Sequence, residues 1–305
     1  MSDAGLWNSA SFGLPTIAAA GGPFPRREFL EAWWDRRGAG ELLHADTGDS
    51  LVVLTVGDGI VEFAGEADLT DYHTPLGSPD VPALANATFE LPGGYRLQLD
   101  SLPKEACNAV CASLQSVGLL PVAEQHAVSA VLRLPPSFDE YLMSLGKKER
   151  HELRRKRRRF ESERGTTTLE RRTGREAVHL FADLHRRSSG DKGSFMTGTI
   201  EQFFYELHDR VGGVIDVLVD ASGTVASAVF LFESESETFL YNSAFDPDIG
   251  HLSPGNVMLS HLIEQAIQQE HRVFDFLKGE ETYKFRLGAE PRPLYRVSAT
   301  SGREG

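Results

Sequence analysis

The order of strand-like and helix-like segments predicts an α/β protein whose mixed sheet is flanked by helices. Alternating apolar segments follow one another over residues 213–219, 225–233 and 238–245, as in antiparallel strands joined by short turns. A helix beginning at Pro254 and a strand over 273–277 come next, and such a strand–helix–strand succession forms a parallel crossover. The two arrangements together define a mixed sheet.

The length of 305 residues favours two domains. Residues 1–22, rich in Gly, Ala and Ser, are predicted to be weakly ordered. A first domain over 23–125 and a second over 126–305 follow from the element order. The first domain should contain a helix near 25–38, strands at 51–56, 59–63 and 95–99, and a helix at 103–117.

The second domain alternates strands and helices before the three consecutive strands. Ser137 is predicted to cap a short helix, and the helix that begins at Pro254 is predicted to reach about residue 270. Its remaining predicted elements are strands at 128–134, 166–170 and 294–299, helices at 137–145, 147–164, 175–188 and 199–210, and a glycine-containing loop at 190–198.

Charge is concentrated in one place. Residues 147–187 hold 15 Lys and Arg against 7 Asp and Glu, a local excess of eight, whereas the whole chain carries −13 and the remainder therefore −21. A basic segment in an acidic protein indicates a local anionic partner. A solvated helix face, a site for nucleotide phosphates, and a tRNA or lipid contact all remain open for it.

No segment has the roughly 20 consecutive apolar residues that cross a bilayer. The amino-terminal segment lacks the basic start and apolar core of a secretory signal. Cys107 and Cys111 stand without a His or Cys cluster around them, so no metal site is predicted. We therefore expect a reduced, cytoplasmic protein.

The start of the helix at residue 254 is the best local signal for a binding site. Ser253 suits the N-cap and Pro254 the first helical position, while Gly255 and Asn256 leave the backbone amides uncovered. Free N–H groups at a helix N-terminus suit a phosphate. Asp275, between two phenylalanines of the next strand, alternates to the opposite face, where it could reach a cleft or face solvent.

The segment from Phe274 to Gly288 resembles the end of GNAT acyltransferases of the CelD-like (cellulose-biosynthesis protein, BioF2-like) group. That pattern runs through Phe274-Asp275, Gly279, Glu280-Glu281, Tyr283-Lys284, Arg286 and Gly288, and Ser253-Pro254-Gly255 matches upstream. The resemblance implies a GNAT-type mixed sheet, with the first half of the chain as a second, degenerate GNAT-like lobe related to FemABX enzymes. A faint match over 63–65 and 71–72 supports that lobe.

The resemblance further implies acetyl-CoA or a longer acyl-CoA as co-substrate, held between two splayed parallel strands. An amine of a small molecule, sugar or peptide would attack the thioester directly, and aminoacyl-tRNA, the donor of FemABX relatives, is the alternative partner. An inactive GNAT-fold binding module is the third reading. Implied donor-site residues are Tyr241, Ser243, Ala244, Ser253, Pro254, Gly255, Asn256 and Val257.

The chemistry needs a base for the amine proton and an acid for the thiolate. Asp275, Glu280 and His251 are the base candidates, and Tyr283 and Tyr241 are the acid candidates. A backbone N–H near Ser243 or Ala244 would hold the oxyanion. Substrate-binding candidates are the cations Lys284, Arg286 and Arg154.

Overall fold

The backbone contacts of the computed structural model divide the chain into two compact units. The first comprises residues 1–129 and 292–305, and the second comprises residues 130–291. The division into domains over 23–125 and 126–305 stays a prediction. The backbone contacts differ from it because they group residues 292–305 with the first unit. The residues that the structure describes are 3–18, 21–188 and 190–302.

The first unit is a sheet of antiparallel strands with one parallel pair and helices packed against it. Its elements are α1 (Asp3–Leu6), a 3₁₀ helix (Ala10–Gly13), α2 (Arg27–Arg37), β1 (Glu41–Asp46), β2 (Ser50–Gly57), β3 (Ile60–Phe63), β4 (Leu76–Gly77), α3 (Pro82–Glu90), β5 (Arg96–Leu102), α4 (Lys104–Ser116) and the start of β6 (Val122–Arg133).

The second unit is likewise a mixed sheet with helices packed against it. Its elements after β6 are α5 (Phe138–Ser144), α6 (Lys147–Arg164), β7 (Thr168–Arg172), α7 (Arg175–Arg186), α8 (Asp191–Phe195), α9 (Gly198–Val211), β8 (Val214–Val219), β9 (Val225–Glu233), β10 (Glu237–Phe245), a 3₁₀ helix (Pro247–Leu252), α10 (Pro254–Gln268), β11 (Val273–Lys278) and α11 (Thr282–Arg286), followed by β12 (Glu290–Thr300), most of which belongs to the first unit.

The two units repeat one backbone plan. In the first, β1, β2 and β3 are antiparallel and β3 pairs parallel with β5; in the second, β8, β9 and β10 are antiparallel and β10 pairs parallel with β11. The helix between the parallel strands begins in both with a left-handed residue and a proline, Val81-Pro82 in α3 and Ser253-Pro254 in α10. The predicted mixed sheet with two tandem lobes is therefore confirmed.

The basic helix α6 is held by a narrow apolar stripe. Its buried residues are Leu153 and Phe160, seven positions apart, and they join a core formed with α10 and with Phe274 of β11. Because these two side chains provide the burial, the cations of α6 occupy the remaining faces.

Several elements lie where the sequence predicted none. They include β1, α3 and α11, and α8 lies within the predicted loop 190–198. The described part of the amino-terminal segment also has local structure, because the Ser11 hydroxyl donates to Asp46 at 2.7 Å and Leu6 is fully buried. Residues 1, 2, 19 and 20 of that segment lie outside the described residues.

Two absences can be stated for the part of the chain that the structure describes. None of its helices is both long and apolar enough to cross a membrane. Within the same residues, no group of three or more His, Cys, Asp and Glu side chains is arranged to hold a metal ion.

His261 of α10 makes the stability of the second unit depend on pH. Its Nε2 lies 3.0 Å from the Thr167 hydroxyl, and burial, together with nearby Arg157, lowers the pKa of His261 from 6.5 to about 4. The folded protein thus keeps this ring neutral where the unfolded chain protonates it. Between pH 7.5 and pH 5.0 we expect a loss of about 2 kcal/mol from this group in urea unfolding. In His261→Gln that increment should vanish, and an unchanged pH dependence in the variant would refute the assignment.

Candidate active site

The gap between β10 and β11 is the central feature of the second unit. Parallel pairing joins Glu237, Thr238 and Phe239 of β10 to residues 273–275 of β11 and extends no further along these described strands. Beyond this point the register of β10 against β9 shifts between Leu240 and Asn242, which puts Tyr241 in a β-bulge. The strands therefore separate towards the end at which α10 begins.

The N-terminus of α10 presents an open backbone donor. Ser253 adopts the left-handed conformation (φ 59°), and its hydroxyl makes no capping hydrogen bond, in contrast to the predicted N-cap role. Its carbonyl accepts the N–H groups of Asn256 at 3.0 Å and Val257 at 3.3 Å. For the Gly255 N–H, no partner is found among the described residues. An anion bound at this helix end would accept a hydrogen bond from the Gly255 N–H.

Asp275 is enclosed by its own strand. It is 1% exposed, and its Oδ1 accepts the N–H of Leu277 at 2.8 Å, where Leu277 takes the left-handed conformation (φ 59°). The carboxylate thereby fixes an irregular turn of β11 near the place where the two strands separate. Its observed contact is structural.

Lys284 holds the end of β11. The ammonium is 4% exposed, donates to the Lys278 carbonyl at 2.8 Å, and pairs with Glu281 at 3.0 Å. The carbonyls of Leu277 and Gly279 lie 3.5 and 3.4 Å from the same nitrogen. Gly279 is required here because a Cβ at its φ of +121° would stand 2.9 Å from that nitrogen. Lys284 thus ties α11 to β11.

A cleft of about 720 Å³ adjoins the start of α10. Five cations and the carboxylates of Glu149 and Glu152 line it, so its charge is positive. Burial and the positive charges of Arg155 and Arg286 lower the pKa of Lys156, whereas Glu152 raises it. Arg286 therefore adds to the positive potential of the cleft. The remaining lining residues include His151, Leu153, Leu287 and Asn256. The five cations are Lys147, Lys148, Arg155, Lys156 and Arg286.

The candidate cation Arg154 does not lie on the face of α6 that lines the cleft. Arg154 is exposed and is not among the cleft residues. Arg157 pairs with Glu264 of α10 at 3.0 Å and lies over the Phe138 ring, so it braces two helices. Arg286, in contrast, does line the cleft.

The other proton-transfer candidates have different environments. Glu280 is exposed, and His251 is 58% exposed with its Nε2 3.9 Å from Glu163. Tyr283 packs against the core and near Phe276, and burial, together with Glu281, raises its pKa above the ordinary value. Burial therefore disfavours the phenolate form of Tyr283.

The β-bulge carries a polar pair that sequence reasoning missed. The Asn242 Oδ1 accepts the N–H of Ser243 at 2.8 Å and lies 3.1 Å from the Nε2 of His185 in α7. The Ser243 N–H is thus engaged by a neighbouring side chain. Ala244 is buried and accepts the Ser227 hydroxyl at 2.8 Å through its carbonyl. Since His185 lies 57 residues from Asn242 along the chain, no local pattern could have joined them.

Comparison with solved structures shows the same two-lobed fold in proteins of low identity. FemX matches with a TM-score of 0.62 and 11% identity over 94% of this chain and 93% of its own. L-PGS from Bacillus licheniformis matches at 0.58 and 15% identity, covering 94% and 95%. A tandem GNAT protein from the clavulanic acid biosynthesis pathway matches at 0.50 and 14% identity, covering 96% and 94%.

These similarities define an acyltransferase fold of two GNAT-like lobes. No curated protein matches at the level of sequence. Residues 147–285 match the family model of the acetyltransferase (GNAT) domain. Residues 147–285 are therefore a GNAT domain, as the resemblance predicted, and the chain shares its fold with FemX.

Proposed function

We propose that this protein transfers an acyl group from acyl-CoA to a primary amine of a small molecule, sugar or peptide. The observation that carries the proposal is the open N–H of Gly255, which stands where β10 and β11 separate and beside a positively charged cleft. A parallel strand gap followed by a helix N-terminus suits a long ligand with one phosphorylated end.

The residues of the second unit fit such a donor. The Gly255 N–H and the Asn256 side chain can hold the pyrophosphate, and the five cations of the cleft offset its charge. Beyond Phe239, β10 and β11 no longer pair with each other, so the backbone groups that face the gap can bind an amide-containing arm of the donor. When bound, acyl-CoA supplies the activated thioester carbonyl.

The proton-transfer roles follow from accessibility and protonation. We assign the acid role to Tyr283, which follows β11 in the motif, with Tyr241 on β10 as its alternative. Glu280 and His251 are open to solvent and can accept the amine proton, whereas Asp275 is enclosed. Losses of activity in Tyr283→Phe and in Glu280→Gln or His251→Gln would support these roles.

Calorimetric titration with acetyl-CoA and longer acyl-CoAs, without acceptor, tests the donor half of the proposal. We expect saturable binding of at least one thioester, followed by acyl transfer when a panel of primary amines is added. Absence of binding by every thioester would refute acyl-CoA use. Binding without transfer to any amine would instead favour an inactive GNAT-fold binding module.

The charge of the cleft also favours a second candidate, an aminoacyl-tRNA-dependent ligase. For this candidate, tRNA affinity should fall steeply with salt, and the slope should decrease in Lys148→Glu combined with Arg286→Glu, because both residues line the cleft. Arg154→Glu is the matched control, since it changes an exposed cation of the same helix outside the cleft. Salt-insensitive binding, or equal slopes in all three proteins, would count against tRNA.

A further inference from the structure

A buried histidine–aspartate pair lies in the first unit, outside the acyltransferase site. His73 is 6% exposed, and its Nδ1 lies 3.0 Å from the Asp100 carboxylate and 3.1 Å from the Asp100 carbonyl. Because both partners accept, the geometry assigns the proton of the neutral ring to Nδ1. The Nε2 atom of His73 is therefore a hydrogen-bond acceptor.

That acceptor has no partner among the described residues, although it is buried. Leaving a buried acceptor unsatisfied costs about 1–3 kcal/mol. Gly65 lies against this atom, since a Cβ built there would stand 3.2 Å from Nε2 and 2.4 Å from the Thr70 hydroxyl oxygen. Gly65 also has a φ of +108°, which other residues rarely adopt.

The backbone around the pair corresponds to the strand gap of the other unit. β3 and β5 pair in parallel only at Ile60 with Arg96 and Val61 with Leu97 within the described strands. Ser101, next to Asp100, is held in the left-handed conformation (φ 57°), and its carbonyl accepts the His73 N–H at 3.0 Å. Strained residues of this kind persist where surrounding structure enforces them, often at ligand sites.

A cleft of about 470 Å³ opens at this point, and its charge is negative. Arg37 is committed to Glu66 through two hydrogen bonds of 2.5 and 2.6 Å. Glu62, Asp68 and Asp100 are the further carboxylates of the lining, which has no second Lys or Arg. The cleft therefore favours a cation.

Two observations identify the kind of cation. The described residues offer no cluster of three or more metal-ligating side chains, which argues against a metal ion here. The lining also includes the aromatic residues Trp33 and Phe63, which are 5% and 6% exposed, and aromatic side chains attract organic ammonium groups. A ligand N–H would meet the acceptor at His73.

We infer that the first unit binds a small organic ammonium ion in this cleft, with His73 Nε2 accepting one of its N–H groups. The site is separate from the proposed donor site, and the inference does not depend on acyl transfer. Asp100 orients the ring, the carboxylates at Glu62 and Asp68 attract the charge, and the aromatic walls hold the carbon skeleton.

Nitrogen NMR of histidine side chains in the full chain tests the inference directly. The probes are methylamine, n-butylamine, benzylamine and putrescine, each titrated at neutral pH and constant ionic strength. We expect at least one to shift the Nε2 resonance of His73 saturably, while benzyl alcohol, neutral and of similar shape to benzylamine, does not. If no amine shifts that resonance, or if benzyl alcohol binds as tightly as benzylamine, the inference is wrong.

Two substitutions measure separately how the His73 ring and the cleft carboxylates contribute to amine binding. His73→Gln should weaken amine binding by about tenfold or more, because an ordinary hydrogen bond to a charged group is lost. Glu62→Gln, an exposed position that folding does not depend on, should weaken it by about threefold. His44→Gln, in β1 and outside the cleft, should leave binding unchanged. Unaltered affinity in both His73→Gln and Glu62→Gln would overturn the assignment, and Glu62→Gln decides it if His73→Gln fails to fold.

Discussion

Gly255→Asp is expected to weaken acyl-CoA binding on the order of 100-fold while the protein stays folded. The substitution puts a carboxylate at the second position of α10, where the Gly255 N–H is open to an anion. A carboxylate near a helix N-terminus stabilises the helix, so the loss cannot come from unfolding. Calorimetric titration with acyl-CoA and a thermal melt of the same preparation provide the two readouts.

Gly255→Ala is the matched control for this substitution. A Cβ at Gly255 would meet its nearest atom, a ring carbon of Phe245, at 3.6 Å, which is an ordinary contact. We therefore expect near wild-type affinity in the alanine variant. Equal affinity in the aspartate and alanine variants would show that no anion binds at this end of α10.

Lys284→Met should lower the free energy of unfolding by about 3 kcal/mol, the largest stability effect expected in the second unit. Methionine replaces the apolar stem of the lysine but removes the ammonium that donates to the Lys278 carbonyl and pairs with Glu281. The end of β11 would then lose its link to α11. Urea unfolding monitored by circular dichroism measures the change.

Arg286→Met provides the comparison within the same helix. Arg286 is exposed and lines the basic cleft, so its loss should change the unfolding free energy by less than about 0.5 kcal/mol. Acyl-CoA affinity should fall in this variant instead. If Lys284→Met were as stable as Arg286→Met, Lys284 would not hold β11, and its role as a substrate-binding cation would regain support.

The elements that sequence reasoning predicted well are those with strong periodic signals. The long helix α10 has apolar residues at helical spacing after a proline, and β9 is a nearly continuous apolar run. Helix α3 was missed because Pro82–Glu90 is short and rich in alanine, so the contrast between its buried and exposed faces is weak. Helix α11 was missed because a five-residue helix shows little periodicity of any kind.

The candidate site was predictable only where its parts are local. The start of α10 could be read from Ser253-Pro254-Gly255, because helix capping involves neighbouring residues. The role of Lys284 could not, since its partners are backbone carbonyls that only the turn after β11 brings together. The sequence also could not predict which face of α6 lines the cleft. The helix carries cations on most of its faces, so its residues alone do not indicate which face lies near Asn256 and Arg286.

The paired helix starts of α3 and α10 show how a duplicated scaffold can specialise without changing its architecture. Both begin with a left-handed residue and a proline, but α3 continues with Ala83 and Leu84, which are fully buried, whereas α10 continues with the partly exposed Gly255 and Asn256. The side chains at these two positions therefore separate a covered helix end in the first unit from the open end that we propose as an anion site in the second. In the first unit, the ligand that we infer would bind instead at the buried His73.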